Sequence, residues 1–97
     1  MGRRFRPLAF DWDKYNREKN WKKHQVKFQE CEQVFLNRPF KIFSDRKYSQ
    51  NELRFLSFGI TNKGRKLTVI FTLRNQNIRI VSARNQNRKE RKVYEQK

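Results

Sequence analysis

The chain has 97 residues, of which 25 are Lys or Arg and 9 are Asp or Glu, so its formal net charge is +16. This length fits one domain, because two halves would each be too short to bury a core. Phe, Leu, Ile and Val are frequent enough to predict folding, since disordered chains fall below roughly 20% of these residues. No apolar run approaches the roughly 18 residues of a membrane span. The composition therefore predicts one folded domain with a thin, Phe-rich core.

The basic residues are spread over both halves of the chain. A folded body of this charge attracts polyanions, so nucleic acid is the first partner to consider, ahead of an anionic membrane surface or an acidic protein. The single Cys31 excludes an intrachain disulfide and indicates a reducing compartment. We therefore expect a cytoplasmic protein, with residues 1–7 forming a flexible basic arm.

The first half of the chain predicts an extended segment, two helices and a strand. They cover residues 8–12, 14–24, 28–36 and 40–45. Asp11 or Asp13 is placed to accept from the free N–H groups at the start of the first helix. The second helix is indicated by one apolar face, formed by Phe28, Cys31, Val34 and Phe35.

The second half predicts three strands and a final helix. They cover residues 52–61, 66–74, 78–84 and 86–96. Short polar turns at residues 62–64 and 75–77 are typical of hairpins. Regular alternation in the last strand places Ile78, Ile80 and Ser82 on one face and Arg79, Val81 and Ala83 on the other. The predicted fold is an α+β domain with two N-terminal helices, a four-stranded antiparallel sheet and a C-terminal helix.

The residue composition excludes several kinds of catalytic and binding site. One His and one Cys cannot form a zinc site of usual spacing, and the three glycines form no phosphate-binding loop. The remaining Lys, Arg, His, Glu and Tyr side chains suit RNA cleavage through the substrate's own 2′-hydroxyl, which needs a base, a cation and an acid. We therefore expect no metal and no cofactor. This reasoning permits a ribonuclease and does not identify one.

A set of motifs resembles the BrnT family of ribonuclease toxins over about residues 10–95. The early motifs are Phe10-Asp11-Trp12-Asp13, Asn20, Lys23-His24-x-Val26-x-Phe28 and Val34-Phe35. The later ones are Glu52-x-Arg54-Phe55, Gly59, Gly64-Arg65-x-Leu67-x-Val69, Arg79-Ile80-Val81-Ser82-Ala83-Arg84, Glu90-Arg91 and Tyr94. Their order and spacing together make the resemblance specific.

The resemblance implies a RelE-like fold and a type II toxin that cleaves RNA and arrests growth. It also implies a BrnA-like, DNA-binding antitoxin, through which alone the toxin would reach operator DNA. The rival interpretation is a non-catalytic nucleic-acid-binding or corepressor module, which would keep the charge and the fold without needing His24.

Four residues form the predicted catalytic set. His24 is the only side chain with an unperturbed pKa near neutrality, which suits a general acid or base. Lys23 would hold phosphate, and Arg54 and Arg79, projecting from one sheet face, would bind it bidentately. The structural alternatives are a helix-terminal histidine bonded to a carbonyl and two solvated strand arginines.

Further candidates carry less specific signals. Arg84 would clamp phosphate or pair with Glu90, and the run containing Arg88 and Arg91 would contact RNA or form a solvated face. Glu52 is a candidate base, with a plain edge-strand role favoured. Tyr94 is expected in the core. Trp12 and Tyr15 would stack on bases, but a thin core favours their burial.

Overall fold

The structure, a computed structural model, describes residues 9–45 and 53–96. It contains helices α1 (Lys14–His24), α2 (Phe28–Leu36) and α3 (Arg88–Glu95), and strands β1 (Lys41–Ser44), β2 (Arg54–Ile60), β3 (Lys66–Arg74) and β4 (Asn77–Asn85). The strands form one antiparallel sheet in the order β1-β2-β3-β4. The predicted α+β architecture is confirmed, with ends shifted by up to two residues. The expected arm at residues 1–7 lies outside the described residues.

One face of the sheet carries the core. Helix α2 buries its predicted apolar face there through Cys31, Val34 and Phe35. The sheet contributes Leu67, Val69, Phe71, Ile78, Ile80 and Ala83. Helix α2 lies so close to β2 that a methyl group at Gly59 would overlap the Val34 side chain. Burial raises the pKa of the Cys31 thiol to about 12, so this cysteine behaves as a small apolar residue.

Helix α1 attaches to the sheet by polar contacts, because it has little apolar surface. Asp13 caps it, and Gln25 ends it in a left-handed conformation with φ of 52°. The expected burial of Tyr15 is wrong, since this side chain is 72% exposed. Trp12 is half-buried against the core, where its Nε1 donates to Glu32 at 2.9 Å. No helix in the described ranges is long and apolar enough to cross a membrane.

Strand β4 contains a bulge at Val81. Ile80 pairs with Phe71 and Ser82 pairs with Ile70, so Val81 is an extra residue without a partner on β3. The alternation predicted for this strand is therefore wrong after Ile80. Ala83 faces the core and Ser82 does not, because a bulge adds one residue to the period of two.

Helix α1 supplies partners for the backbone around the bulge. Lys19 Nζ donates to the Val81 carbonyl at 2.7 Å, and the Ala83 N–H donates to Asn20 Oδ1 at 3.1 Å. Asn20 is 1% exposed, and its side chain is buried in α1 with both ends bonded, since Oδ1 accepts from Ala83 and Nδ2 donates to the Asn16 carbonyl at 3.2 Å.

The β3–β4 hairpin sets the register of these two strands. Asn75 and Gln76 both have positive φ, 50° and 68°, as a two-residue type I′ turn requires. The sequence predicted a three-residue turn, whereas Asn77 is the first residue of β4. This tight turn pairs Arg74 with Asn77 and, two residues further, Thr72 with Arg79.

Helix α3 covers part of the second face of the sheet. Tyr94 is buried as predicted, and its hydroxyl donates to the Pro39 carbonyl at 2.7 Å. Lys41 Nζ donates to the last carbonyls of this region, those of Val93 and Gln96. The part of this second face that lies towards the start of β2 and the β3–β4 turn carries Arg54, Thr72 and Arg79.

Candidate nucleic-acid interface

Three residues form a row across the second face of the sheet, and we call them the arginine row. Arg54 on β2 pairs with Thr72 on β3, which pairs in turn with Arg79 on β4. Neighbouring strands lie about 4.8 Å apart, so the Cα atoms of the two arginines are separated by about 10 Å. The prediction that Arg54 and Arg79 project from one face is confirmed. Two long guanidinium side chains at this spacing can reach one phosphate between them.

Two carboxylates lie at the outer end of the arginine row. Residues 9–11 run alongside β4, with bonds of 2.7 Å from Asp11 N to the Ile78 carbonyl and 2.9 Å from Ile78 N to the Ala9 carbonyl. Arg79 Nη2 lies 3.3 Å from Asp13 Oδ2, and Arg79 Nη1 lies 3.9 Å from Asp11 Oδ2. Arg79 is therefore oriented from one side while 30% of its side chain stays exposed.

Thr72 lies between the two arginines. Its side chain is 4% exposed, and its hydroxyl oxygen has no hydrogen-bond partner. Thr68 lies four residues before Thr72 on β3 and therefore on the same face. Its hydroxyl donates to Glu90 at 2.9 Å. The arginine row therefore has an unpaired polar group beneath its two cations.

Arg84 has a structural partner. Its guanidinium donates to both oxygens of Glu90, at 2.7 and 2.9 Å, which matches the alternative in which it pairs with this residue. Burial alone would favour protonation of Glu90, but hydrogen bonds from Arg84, the Asn87 N–H and Thr68 lower the pKa of this carboxyl below its ordinary value. The pair fastens α3 to the sheet.

The other arginines of the C-terminal region differ in their contacts. Arg91 Nη1 donates to the Gln86 carbonyl at 2.8 Å, so this side chain stabilises the segment that leads into α3. Arg88 is exposed on the same helix. Glu52, the candidate base, lies outside the described residues.

His24 and Lys23 lie at the opposite end of α1 from the arginine row. Asp13, at the start of α1, contacts Arg79, whereas the carbonyl of His24, at its end, accepts from Arg65 at 3.0 Å. The 11 residues of α1 span about 16 Å at 1.5 Å per residue. The structure therefore brings Arg54 and Arg79 together and does not bring His24 and Lys23 to them.

Lys23 belongs to a separate basic surface on α1. It lines an open groove of about 200 Å³ together with Tyr15, Glu18, Lys19 and Lys22. These positions fall on one face of the helix, and Tyr15 stands out from it into solvent.

The residues that sequence reasoning missed at the arginine row are Asp11, Asp13 and Thr72. The two aspartates carried a signal, as candidate helix caps and as part of the Phe10-Asp11-Trp12-Asp13 motif, but neither was assigned to the site. Thr72 carried none, because a threonine in a strand is ordinary. Its place between two arginines depends on the register of three strands.

The fold and this face define a small basic α+β protein with two arginines aligned across one face of its sheet. Within the two described ranges, no group of three or more His, Cys, Asp or Glu side chains could hold a metal ion.

Comparison with known proteins identifies the family. The family described as "Ribonuclease toxin, BrnT, of type II toxin-antitoxin system" matches residues 12–90. The chain belongs to this family, which confirms the resemblance seen in the motifs. A search of the curated proteins finds no match.

One solved structure supports the same fold. The crystal structure of the Brucella abortus ribonuclease toxin BrnT matches with a TM-score of 0.63 at 21% sequence identity. The match covers 84% of this chain and 99% of the Brucella chain. At this identity the likeness concerns the fold.

Proposed function

We propose that this protein is the toxin of a type II toxin–antitoxin system and cleaves RNA at the arginine row. The observation that carries this proposal is the cross-strand register that aligns Arg54, Thr72 and Arg79 on a face not covered by helix α3. The net charge of +16 provides long-range attraction for RNA, and the paired arginines provide a site for one phosphate.

The proposed reaction is transphosphorylation. The 2′-oxygen attacks the adjacent phosphorus, the bond to the 5′-oxygen breaks, and a 2′,3′-cyclic phosphate forms. A base takes the 2′-hydroxyl proton, and the leaving 5′-oxygen gains a proton from an acid or from water. Arg54 and Arg79 stabilise the negative charge that develops on the phosphoryl oxygens. Among the described residues we propose Asp11 as this base, because its carboxylate lies 3.9 Å from Arg79 and Asp13 is already engaged as a helix cap.

The remaining predicted site residues take supporting roles in this proposal. Lys23 and His24 would contact RNA away from the scissile phosphate, along the basic surface of α1. Exposed Arg88 would add phosphate contacts on α3. Arg84 and Arg91 would act through the position of α3, because their guanidinium groups are bonded to Glu90 and the Gln86 carbonyl.

Substitution of the two arginines tests the site. Arg54→Ala and Arg79→Ala should each lower RNA cleavage by about 10²-fold or more, the scale for losing a group that stabilises transition-state charge. Lys63→Ala removes the same charge from the exposed β2–β3 turn and serves as the control. Wild-type cleavage by both arginine variants would show that the reaction occurs elsewhere.

Product analysis tests the chemistry. The proposed reaction uses no metal ion, so cleavage should continue in excess EDTA and leave 2′,3′-cyclic phosphate ends. Products with 3′-hydroxyl ends, or a strict requirement for Mg²⁺, would contradict transphosphorylation.

The antitoxin in this proposal is BrnA-like and acidic where it meets the toxin. Covering the arginine row would inhibit the enzyme, so antitoxin and RNA should compete. Complex formation should slow as salt rises, because exposed charges are screened over about 10 Å at 0.1 M. Association kinetics at several salt concentrations, with and without a short RNA, measure both effects. Simultaneous binding of RNA and antitoxin would contradict inhibition by coverage.

A further inference from the structure

We infer that the hydroxyl of Thr72 binds the phosphate that Arg54 and Arg79 hold, by donating a hydrogen bond to one of its non-bridging oxygens. This inference rests on the proposed function, since it places the phosphate at the arginine row. Thr72 is then a substrate-binding residue whose hydrogen bond positions the phosphate over β3.

The first argument is that the hydroxyl is buried and unpaired. Thr72 is 4% exposed and its oxygen has no partner, although buried polar groups in folded proteins are nearly always hydrogen-bonded. Leaving such a group unpaired costs about 1–3 kcal/mol. Valine has the same shape without this cost, so folding alone gives no reason for the hydroxyl at this position.

The second argument is the position of the hydroxyl. The register places Thr72 directly between Arg54 and Arg79, one strand away from each. A phosphate bridging two guanidinium groups therefore lies over Thr72. Because Thr72 is 4% exposed, the side chains that cover it must move when the phosphate binds, and its hydroxyl then has a proton to donate.

The third argument is the contrast with Thr68. Thr68 shares the strand and the face with Thr72, but its hydroxyl donates to Glu90 at 2.9 Å and fastens α3. Within one strand face, one threonine thus has a structural partner and the other faces two cations. A phosphate is the anion that would give Thr72 an equivalent acceptor.

The test compares Thr72→Val, Thr72→Ser and Thr68→Val. The affinity for an RNA with a 2′-deoxy group at the scissile position, which binds without being cleaved, is measured together with urea unfolding. Thr72→Val should bind this RNA about tenfold or more weakly, the scale of a hydrogen bond to a charged group. It should unfold at the same or a higher urea concentration, whereas Thr72→Ser should bind within about threefold of the wild type.

The matched control should show the opposite pattern. Thr68→Val should unfold at lower urea because Glu90 loses a donor, and it should keep its RNA affinity. Thr72→Ala gives a second variant without the hydroxyl, so that the result does not depend on how one side chain packs.

Several outcomes would overturn the inference. Wild-type RNA affinity in Thr72→Val and Thr72→Ala would show that the hydroxyl makes no contact with RNA. Thr72→Ser keeps the hydroxyl and Thr72→Val lacks it, so an equal loss in both would show that RNA affinity depends on how the side chain packs and not on its hydrogen bond. If Arg54→Ala and Arg79→Ala lose cleavage while the Thr72 variants do not, only this inference fails. If the arginine variants keep cleavage, the proposed function fails first.

Discussion

Asp13 and Arg79 join the start of helix α1 to strand β4 through one carboxylate. Oδ1 of Asp13 accepts from the Asn16 N–H at 2.7 Å, and Oδ2 lies 3.3 Å from Arg79 Nη2. The residue that begins the helix therefore also orients one of the two cations of the arginine row.

The two roles of Asp13 are separable by substitution. Asp13→Ala should lower the free energy of unfolding by about 1 kcal/mol, because the cap is lost. Asp13→Asn should change it much less, since Asn is an equally good cap and a half-exposed ion pair contributes little. Urea unfolding of the two variants measures the difference. Equal destabilisation by both would assign the stabilisation to the ion pair.

Asn20 should be important for stability although it lies in a polar helix. Asn20→Ala leaves the Ala83 N–H beside the bulge without its partner and should cost about 1–3 kcal/mol. Lys22→Ala, on the exposed side of α1, is the control and should be nearly neutral. An Asn20→Ala protein as stable as the control would mean that water replaces the amide at the bulge.

His24→Ala tests whether His24 takes part in the reaction at the arginine row or belongs to a separate basic surface on α1. A general acid or base must lie within hydrogen-bond reach of the proton that it moves, and its loss costs about 10²-fold or more. His24 lies a full helix length from the Asp13 and Arg79 contact, so we expect less than a tenfold loss of RNA cleavage. Cleavage rates and thermal unfolding are measured together. A 10²-fold loss in a stably folded variant would return His24 to the reaction centre.

Glu90 should make folding sensitive to acid. Its pKa is lowered in the folded protein from the ordinary 4.5, so its stabilising effect is complete above that value and is lost as the pH falls through the folded value. Glu90→Gln should be less stable than the wild type at pH 7 and should lose less of its stability between about pH 5 and pH 3. Urea unfolding at each pH measures this, with exposed Glu18→Gln as the control. Parallel pH profiles for wild type and Glu90→Gln would assign the acid sensitivity to other carboxylates.

The fold was predicted well wherever the spacing of apolar residues indicates which face of a helix or strand is buried. The apolar face of α2 follows from a period of 3.6 residues and the strands follow largely from a period of 2, and both are confirmed. Such patterns cannot reveal the extra residue at Val81. The backbone around this bulge is bonded to Lys19 and Asn20 of α1, which lie about sixty residues away in the sequence. The burial predicted for Tyr15 came from the thinness of the core and not from periodicity, and it is wrong because this side chain is exposed.

The candidate site was predictable only in part, for a geometric reason. Alternation along β2 and β4 was enough to suggest that Arg54 and Arg79 share a face. The separation of His24 from them depends on the direction in which α1 runs beside β4, which no local pattern encodes. Thr72 became visible only through the pairing of three strands.

The bulge at Val81 also bears on changes in chain length. Strand β4 holds one residue more than its pairing with β3 requires. The residues before and after Val81 keep their β3 partners. A one-residue deletion near Val81 can therefore be absorbed by straightening the strand, with Arg79 still beside Thr72 and Ala83 still in the core. Strand β3 has no such spare residue, so a deletion between Thr68 and Thr72 shifts the partners of both neighbouring strands. Relatives of this protein should accordingly vary in length at the outer strand long before they do so at the inner one.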